Sequence, residues 1–338
     1  MAFFDTVRSG VAPAHSPARP VADPTAAALD RAIWAGIGAT ALVAGLGALM
    51  GGFTVMWSSF AFALVGIPLL LAAERVYRRR DLRLAAAAGG TAQIAAFTAF
   101  GAPLSYLAAS LGLPLQDQPL DAIDRALGLD WPALLAWMNR NAALHPLFNA
   151  AYLSFAAQAT LTILALAFTA RLAQLRLFIV AFMLAAVVTI AISALLPAQG
   201  IWGHYDLSAA DYPAIVPATR EVHLPIFLGL RDGSFRLLMG KGSEGIITFP
   251  SLHAALGVIF ILAMWPVPGL RWIALAVNLL MIAATPVDGG HYFIDIVAGI
   301  AVALACWAAA RTLARRAERR HGARSPLGHR DFASGTTA

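Results

Sequence analysis

Lysine and cysteine are almost missing from this sequence: Lys241 and Cys306 are the single examples of each in 338 residues. One cysteine excludes an intrachain disulfide framework and leaves no thiolate cluster for zinc; Cys306 lies in an apolar run and reads as core filler. Charge is scarce as well. Only 12% of residues are charged against 59% hydrophobic, and the mean hydropathy is +0.72. A water-soluble fold would lack the polar residues to cover its surface, so the bilayer is the solvent that this composition implies. The net charge of +6 implies no nucleic-acid partner, and its placement along the chain matters more than its sum. There is no internal repeat and no coiled-coil pattern.

What is abundant is apolar sequence in span-length runs. Eight of them are expected to cross the membrane: Trp34 to Phe53, Val55 to Ala73, Leu84 to Leu107, Pro146 to Ala170, Leu177 to Leu196, Ala254 to Val267, Trp272 to Val287 and Tyr292 to Ala310. The fold class is an all-α integral membrane protein of about eight transmembrane helices. Residues 1–30, rich in Pro and Ala and without a signal-peptide run, read as a disordered cytoplasmic tail, 31–310 as the polytopic membrane domain, and 311–338 as a basic cytoplasmic tail. An even number of spans puts both termini on one side. The charges agree: Arg75, Arg78, Arg79, Arg80 and Arg83, then Arg171 and Arg176, then Arg271, then Arg311, Arg315, Arg316, Arg319 and Arg320 all fall on the side of the termini, which is therefore the cytoplasm. The opposite loop between spans three and four holds Asp117, Asp121, Asp124 and Asp130 against Arg125 and Arg140, as expected of an external loop. Within it, Ile123, Leu127, Leu134, Trp137 and Met138 recur at helical spacing and predict a helix lying in the interface. The segment from Pro197 to Phe249 is too polar to span, and a loop of that length is usually functional or disordered.

Chemistry concentrates near two helix starts. Pro250 and Ser251 precede His253 where a cap and first turn are expected, so unpaired N–H groups and the positive end of a helix dipole favour a bound phosphate there. On its own this is equally a Ser-capped helix with an interfacial histidine. At the start of the last span, Asp295 follows four residues after His291, which puts both on one helical face and lets the carboxylate orient the imidazole. Asp295 is the only acid between Asp288 and Glu318, and an unpaired carboxylate in such a segment costs about 2 to 4 kcal/mol. A purely structural His–Asp bond is the plain alternative; intramembrane ionisable residues are more often functional. Spans six and eight begin on the same side, so the two histidines can converge. Spans six and seven hold about 14 to 16 apolar residues, shorter than a bilayer core of about 30 Å, which brings their outer ends below the surface.

Pro250, Ser251 and His253, followed by His291 and Asp295, resemble the second and third motifs of the type-2 phosphatidic acid phosphatase superfamily. The fuller strings, Phe249-Pro250-Ser251-Leu252-His253-Ala254-Ala255 and Gly290-His291-Tyr292 with Asp295 and Gly299, are most similar to its inositol phosphorylceramide synthase branch, which transfers headgroups between lipids. The resemblance covers about 60 residues closely and implies a six-helix catalytic bundle, with catalytic motifs within 249–299. It implies that His291 attacks phosphorus to give a phosphohistidine, that Asp295 orients and charge-stabilises it, and that His253 protonates the departing alkoxide. It implies no metal and no cofactor, and a lipid phosphate or phospholipid as substrate.

The superfamily's first motif, a Lys followed seven residues later by Arg-Pro, is not present in that form. Thr285 stands where the third motif has an arginine, and Leu252 stands where a glycine is frequent. The phosphate charge therefore needs other partners, for which Arg231, Arg236 and Lys241 are candidates, with Ser251, Leu252 and Tyr292 completing the substrate-binding set; ordinary loop solvation is the plain alternative for the three cations. A metal site built from His204, Asp206 and His223 has no ligand-like repeat behind it. Three functions stay open at this level: headgroup transfer, simple lipid phosphate hydrolysis, and a non-enzymatic transporter or lipid-binding role. Ionisable residues at span ends rather than centres favour an interfacial catalytic site over a transport path.

Overall fold

In the computed structural model, described for residues 24–322 except 208–209, 216, 218–221 and 241–244, the chain is almost entirely helical. The helices are α1 (Pro24–Met50), α2 (Ala61–Tyr77), α3 (Leu82–Ala109), α4 (Asp117–Ala126), α5 (Trp131–Arg140), α6 (His145–Leu153), α7 (Phe155–Phe168), α8 (Leu172–Leu195), α9 (Ile201–His204), α10 (His223–Asp232), α11 (Leu252–Met264), α12 (Leu270–Gly289) and α13 (Phe293–Gly322). Two three-residue strands, β1 (Thr54–Met56) and β2 (Leu237–Met239), pair in parallel.

Six of the eight expected spans are single helices long and apolar enough to cross a membrane: α1, α2 with the 3₁₀ turn before it, α3, α8, α12 and α13. The fourth is broken. α6 and α7 meet at Ser154 with a bend of 52°, and the Ser154 hydroxyl donates to the Ala151 carbonyl at 2.6 Å. The sixth, α11, has only 13 residues and reaches about 20 Å. The seventh, expected to be short, is the 20-residue α12 and matches the bilayer core of about 30 Å. Helix α1 begins at Pro24, inside the stretch expected to be tail, and α13 continues through the basic residues after 310.

Several helices begin where a side chain can satisfy the first N–H groups. Asp81 caps α3, accepting from Arg83 N at 2.8 Å and Leu84 N at 3.3 Å; Asp130 caps α5 through Ala133 N at 3.0 Å, with Pro132 in the first turn. The core is built around α8, whose Phe178 and Phe182 pack on Phe260 of α11 and Phe97 of α3 with ring centroids 5.9 and 6.2 Å apart. Helix α2, with no buried residue, leans only on its neighbours at the edge.

Most of the described arginines collect at one end. Arg176, at the start of α8, takes both oxygens of Asp30 on α1 at 2.9 and 3.1 Å, and the same end holds Arg78, Arg31, Arg316 and Arg320. At the opposite end, α4, α5, α9, α10 and the two-stranded ribbon form a cap. The interfacial helix expected between Asp121 and Asn141 is two helices, α4 and α5, folded over the start of α13 with Trp131, Leu135 and Met138 buried beneath them.

Candidate active site

The starts of α11 and α13 lie side by side because two features permit it. The Ser251 N–H donates to the Asp295 carbonyl at 3.0 Å, tying one helix start to the other. Gly299, one turn further along α13, faces the same point: a Cβ there would stand 2.3 Å from the Ser251 carbonyl oxygen, so only glycine allows this approach. Ser251 then caps α11, its hydroxyl accepting from Ala254 N at 3.3 Å, and His253 sits in the first turn. Helix α12 ends on Gly290 in the left-handed region at φ 64°, and the chain reverses through His291 and Tyr292 into α13.

His291 Nδ1 lies 3.2 Å from Asp295 Oδ2, and the same oxygen accepts from Tyr292 N at 3.0 Å. Both side chains are almost wholly buried. With Nδ1 engaged, Nε2 is the nitrogen that remains for chemistry. The His253 ring stacks on Tyr152 of α6, centroids 4.0 Å apart and planes within 17°, with Phe155 of α7 at 5.2 Å. The broken span thus supplies the aromatic wall that holds His253. A cavity of about 380 Å³ opens between these elements, and His253, His291, Tyr152, Leu252, Gln199 and His223 all line it. Gly289 keeps it open: a Cβ there would meet His291 Cδ2 at 2.5 Å, and lie 3.1 Å from both His291 Nε2 and the Tyr152 hydroxyl.

The other substrate-binding candidates fall elsewhere. Arg231 donates to the Leu113 carbonyl at 2.8 Å and lies over the Phe227 ring, and Arg236 donates to the Leu230 carbonyl at 2.6 Å and lies over Phe53. Neither lines the cavity; the carbonyls they meet belong to Leu113, in the loop after α3, and to Leu230 of α10. Lys241 lies outside the described residues. Tyr292 is fully buried and its hydroxyl donates to Asp117 Oδ1 at 3.0 Å, a brace rather than a cavity wall. His204 is 3.7 Å from Asp121, apart from His223 in the cavity.

The sequence reading missed the acids that hold the site. Asp124 is fully buried and accepts from Phe293 N at 2.7 Å and Ile294 N at 3.0 Å, capping α13 from another helix, and from Trp131 Nε1 at 3.2 Å. Asp117 accepts from Gln199 N at 3.1 Å and Gly200 N at 2.9 Å. Burial pushes the Asp117 carboxyl above the ordinary carboxylate range, while the Gln199, Tyr292 and Gly200 bonds and the nearby His204 pull it back down. Gly200, at φ 81°, passes so close to the turn after α12 that a Cβ would come 2.5 Å from the Gly290 carbonyl oxygen, which accepts from Ile201 N at 3.0 Å. Behind the cavity, His145 lies 3.2 Å from Asp288, which also accepts from Asn149 at 2.8 Å.

At its far end α11 meets α12 through Trp265, Trp272 and Arg271, an aromatic and basic set suited to an interface. With that end at the boundary, a helix of about 20 Å falls short of the opposite edge of the hydrocarbon core, while α12 beside it is long enough to reach that edge.

No curated protein and no solved structure matches the chain significantly. The family model of the PAP2 superfamily matches residues 118–309, more than half of the chain and a range that takes in the cap helices, both histidine motifs and most of α13. The chain is a helical membrane protein belonging to the PAP2 superfamily.

Proposed function

We propose that this protein hydrolyses or transfers a lipid-linked phosphate through a phosphohistidine formed on His291, at the outer face of the membrane. Membership of the PAP2 superfamily supports a phosphatase-type lipid phosphoesterase. The observation that carries the finer reading is the His291–Asp295 pair, whose Nδ1 to Oδ2 contact of 3.2 Å leaves Nε2 on the cavity that His253 also lines.

In the first step His291 Nε2 attacks phosphorus, the bond to the ester oxygen breaks, and His253 gives its proton to the departing alkoxide. Asp295 stabilises the positive charge that develops on the His291 ring. In the second step neutral His253 takes a proton from water or from a lipid alcohol, whose oxygen displaces His291 from phosphorus. Water gives hydrolysis and an alcohol gives transfer. The likeness of the motifs to inositol phosphorylceramide synthases favours a phospho-headgroup of inositol type passing to a lipid acceptor, while superfamily membership favours simple hydrolysis. We assign the phosphate oxygens to His223, Tyr152 and the open N–H groups at the start of α11, which line the cavity where the superfamily's lysine and arginine positions are not matched. The basic end faces the cytoplasm by the positive-inside rule.

The test is turnover by purified protein on a panel of lipid phosphates, with and without inositol-, glycerol- and sphingoid-type partners, following both products. His291→Ala is expected to lower turnover by about 10³ to 10⁴-fold, and Asp295→Asn by about 10² to 10⁴-fold, with the melting transition retained. Parental turnover in His291→Ala overturns the nucleophile. Appearance of a new lipid only when an acceptor is present selects transfer; phosphate release unchanged by every acceptor selects hydrolysis.

A further inference from the structure

At the basic end, α1, α8 and α13 leave a second opening, a cleft of about 530 Å³ that shares no residue with the catalytic cavity. Its inner part is apolar, formed by Ala32, Val180 and Met183, with Gly36 keeping the α1 wall low; a Cβ at Gly36 would come 3.0 Å from Met183 Cε. Its mouth is cationic. Arg31 reaches it from α1, and Arg316 and Arg320 reach it from one face of α13, four residues apart.

Among the described residues nothing neutralises these three. No carboxylate lines the cleft, and none of the three arginines makes an ion pair among the described residues. Asp30, next to Arg31 in sequence, gives both oxygens to Arg176. Glu318 lies two residues from each α13 arginine, about 200° round the helix from both. Three like charges over an apolar slot form a repulsive arrangement that an external anion with an apolar tail relieves.

We propose that this cleft binds an anionic glycerophospholipid from the leaflet bordering the basic end, with its phosphate between Arg31, Arg316 and Arg320 and an acyl chain along Gly36, Val180 and Met183. Guanidinium groups pair with phosphate oxygens in a bidentate manner, and basic pockets between transmembrane helices are a recurrent setting for anionic headgroups. A zwitterionic lipid fits less well, since its ammonium would enter a ring of guanidiniums. The lipid so held is structural or regulatory, on the opposite side of the membrane domain from the reacting imidazoles.

The experiment is native mass spectrometry of the full-length protein in mild detergent with an equimolar mixture of phosphatidylglycerol and phosphatidylcholine. Any lipid in the catalytic cavity is common to all variants and cancels in the comparison. The parent is expected to retain phosphatidylglycerol about tenfold over phosphatidylcholine. The double variant R316Q/R320Q should lose that preference, whereas R315Q/R319Q, with the same loss of charge outside the cleft, should keep it. Ala32→Phe, which fills the slot without changing charge, should lower retention of phosphatidylglycerol. Equal retention of the two lipids by the parent, or equal loss of preference in R315Q/R319Q, overturns the site and leaves only diffuse surface charge. If R316Q/R320Q does not fold, Arg31→Gln carries the same expectation and the same failure.

Discussion

Asp124 illustrates how an acid that looks like surface charge becomes structural. Its two oxygens accept from the first N–H groups of α13 and from the Trp131 indole, so the helix that carries Asp295 is capped from 170 residues away. Asparagine offers one acceptor in place of two. Asp124→Asn is therefore expected to cost about 1 to 3 kcal/mol for the N–H left unpaired and to lower turnover, since the start of α13 fixes His291. Thermal unfolding in detergent checks this against Asp130→Asn, whose exposed cap serves only α5 and should be nearly neutral, since asparagine caps a helix about as well as aspartate. The His291–Asp295 contact is legible because the two residues are four apart at one helix start, and the position of His253 because a Pro-Ser pair opens its helix; the aromatic partners of His253 are not. Asp117, Asp124 and His223 are not legible either, because their partners are distant in sequence and nothing in local periodicity marks them. The placement of Arg231 and Arg236 away from the cavity is illegible for the converse reason. Proximity in sequence to a motif says nothing about which carbonyls compete for a guanidinium.

Among the elements, eight apolar runs gave the helices and their order, since burial in lipid leaves helix as the only local solution for the backbone. What the runs did not give was continuity. The bend at Ser154 breaks the fourth span, and its use is visible only in three dimensions, where Tyr152 and Phe155 on either side of the break face His253. The β1–β2 ribbon was invisible for another reason: three residues at a time, paired across Thr54 and Leu237, carry no periodic signal. Gly299 is where element packing and chemistry meet. Gly299→Ala puts a methyl within 2.3 Å of the Ser251 carbonyl oxygen, so α11 and α13 must separate. The expected result is a loss of about 1 to 3 kcal/mol and a fall in turnover larger than that of Gly45→Ala, a helix glycine with open space at its Cβ position. Unfolding and turnover measured on the two variants side by side make the comparison.

Across the described residues most arginines lie at one end and the histidine cavity at the other. Cys306 is buried and is the only cysteine, so Cys306→Ala gives a background in which single cysteines report sidedness. Leu127→Cys, in the exposed turn after α4, is expected to react with a membrane-impermeant maleimide in intact cells, and Arg79→Cys only after lysis; the reverse pattern would invert the orientation. On the proposed phosphohistidine mechanism, the 13 residues of α11 also bear on what competes for the intermediate. If the short α11 draws the centre inside the hydrocarbon boundary, it meets reactants in proportion to their oil–water partition coefficients, not their bulk concentrations. Primary alcohols of equal reactivity should therefore rank as acceptors by chain length, with the ratio of transfer to hydrolysis rising from short to long in a competition assay. In a thinner bilayer that gradient should flatten, which would make membrane thickness itself a determinant of which product the enzyme releases.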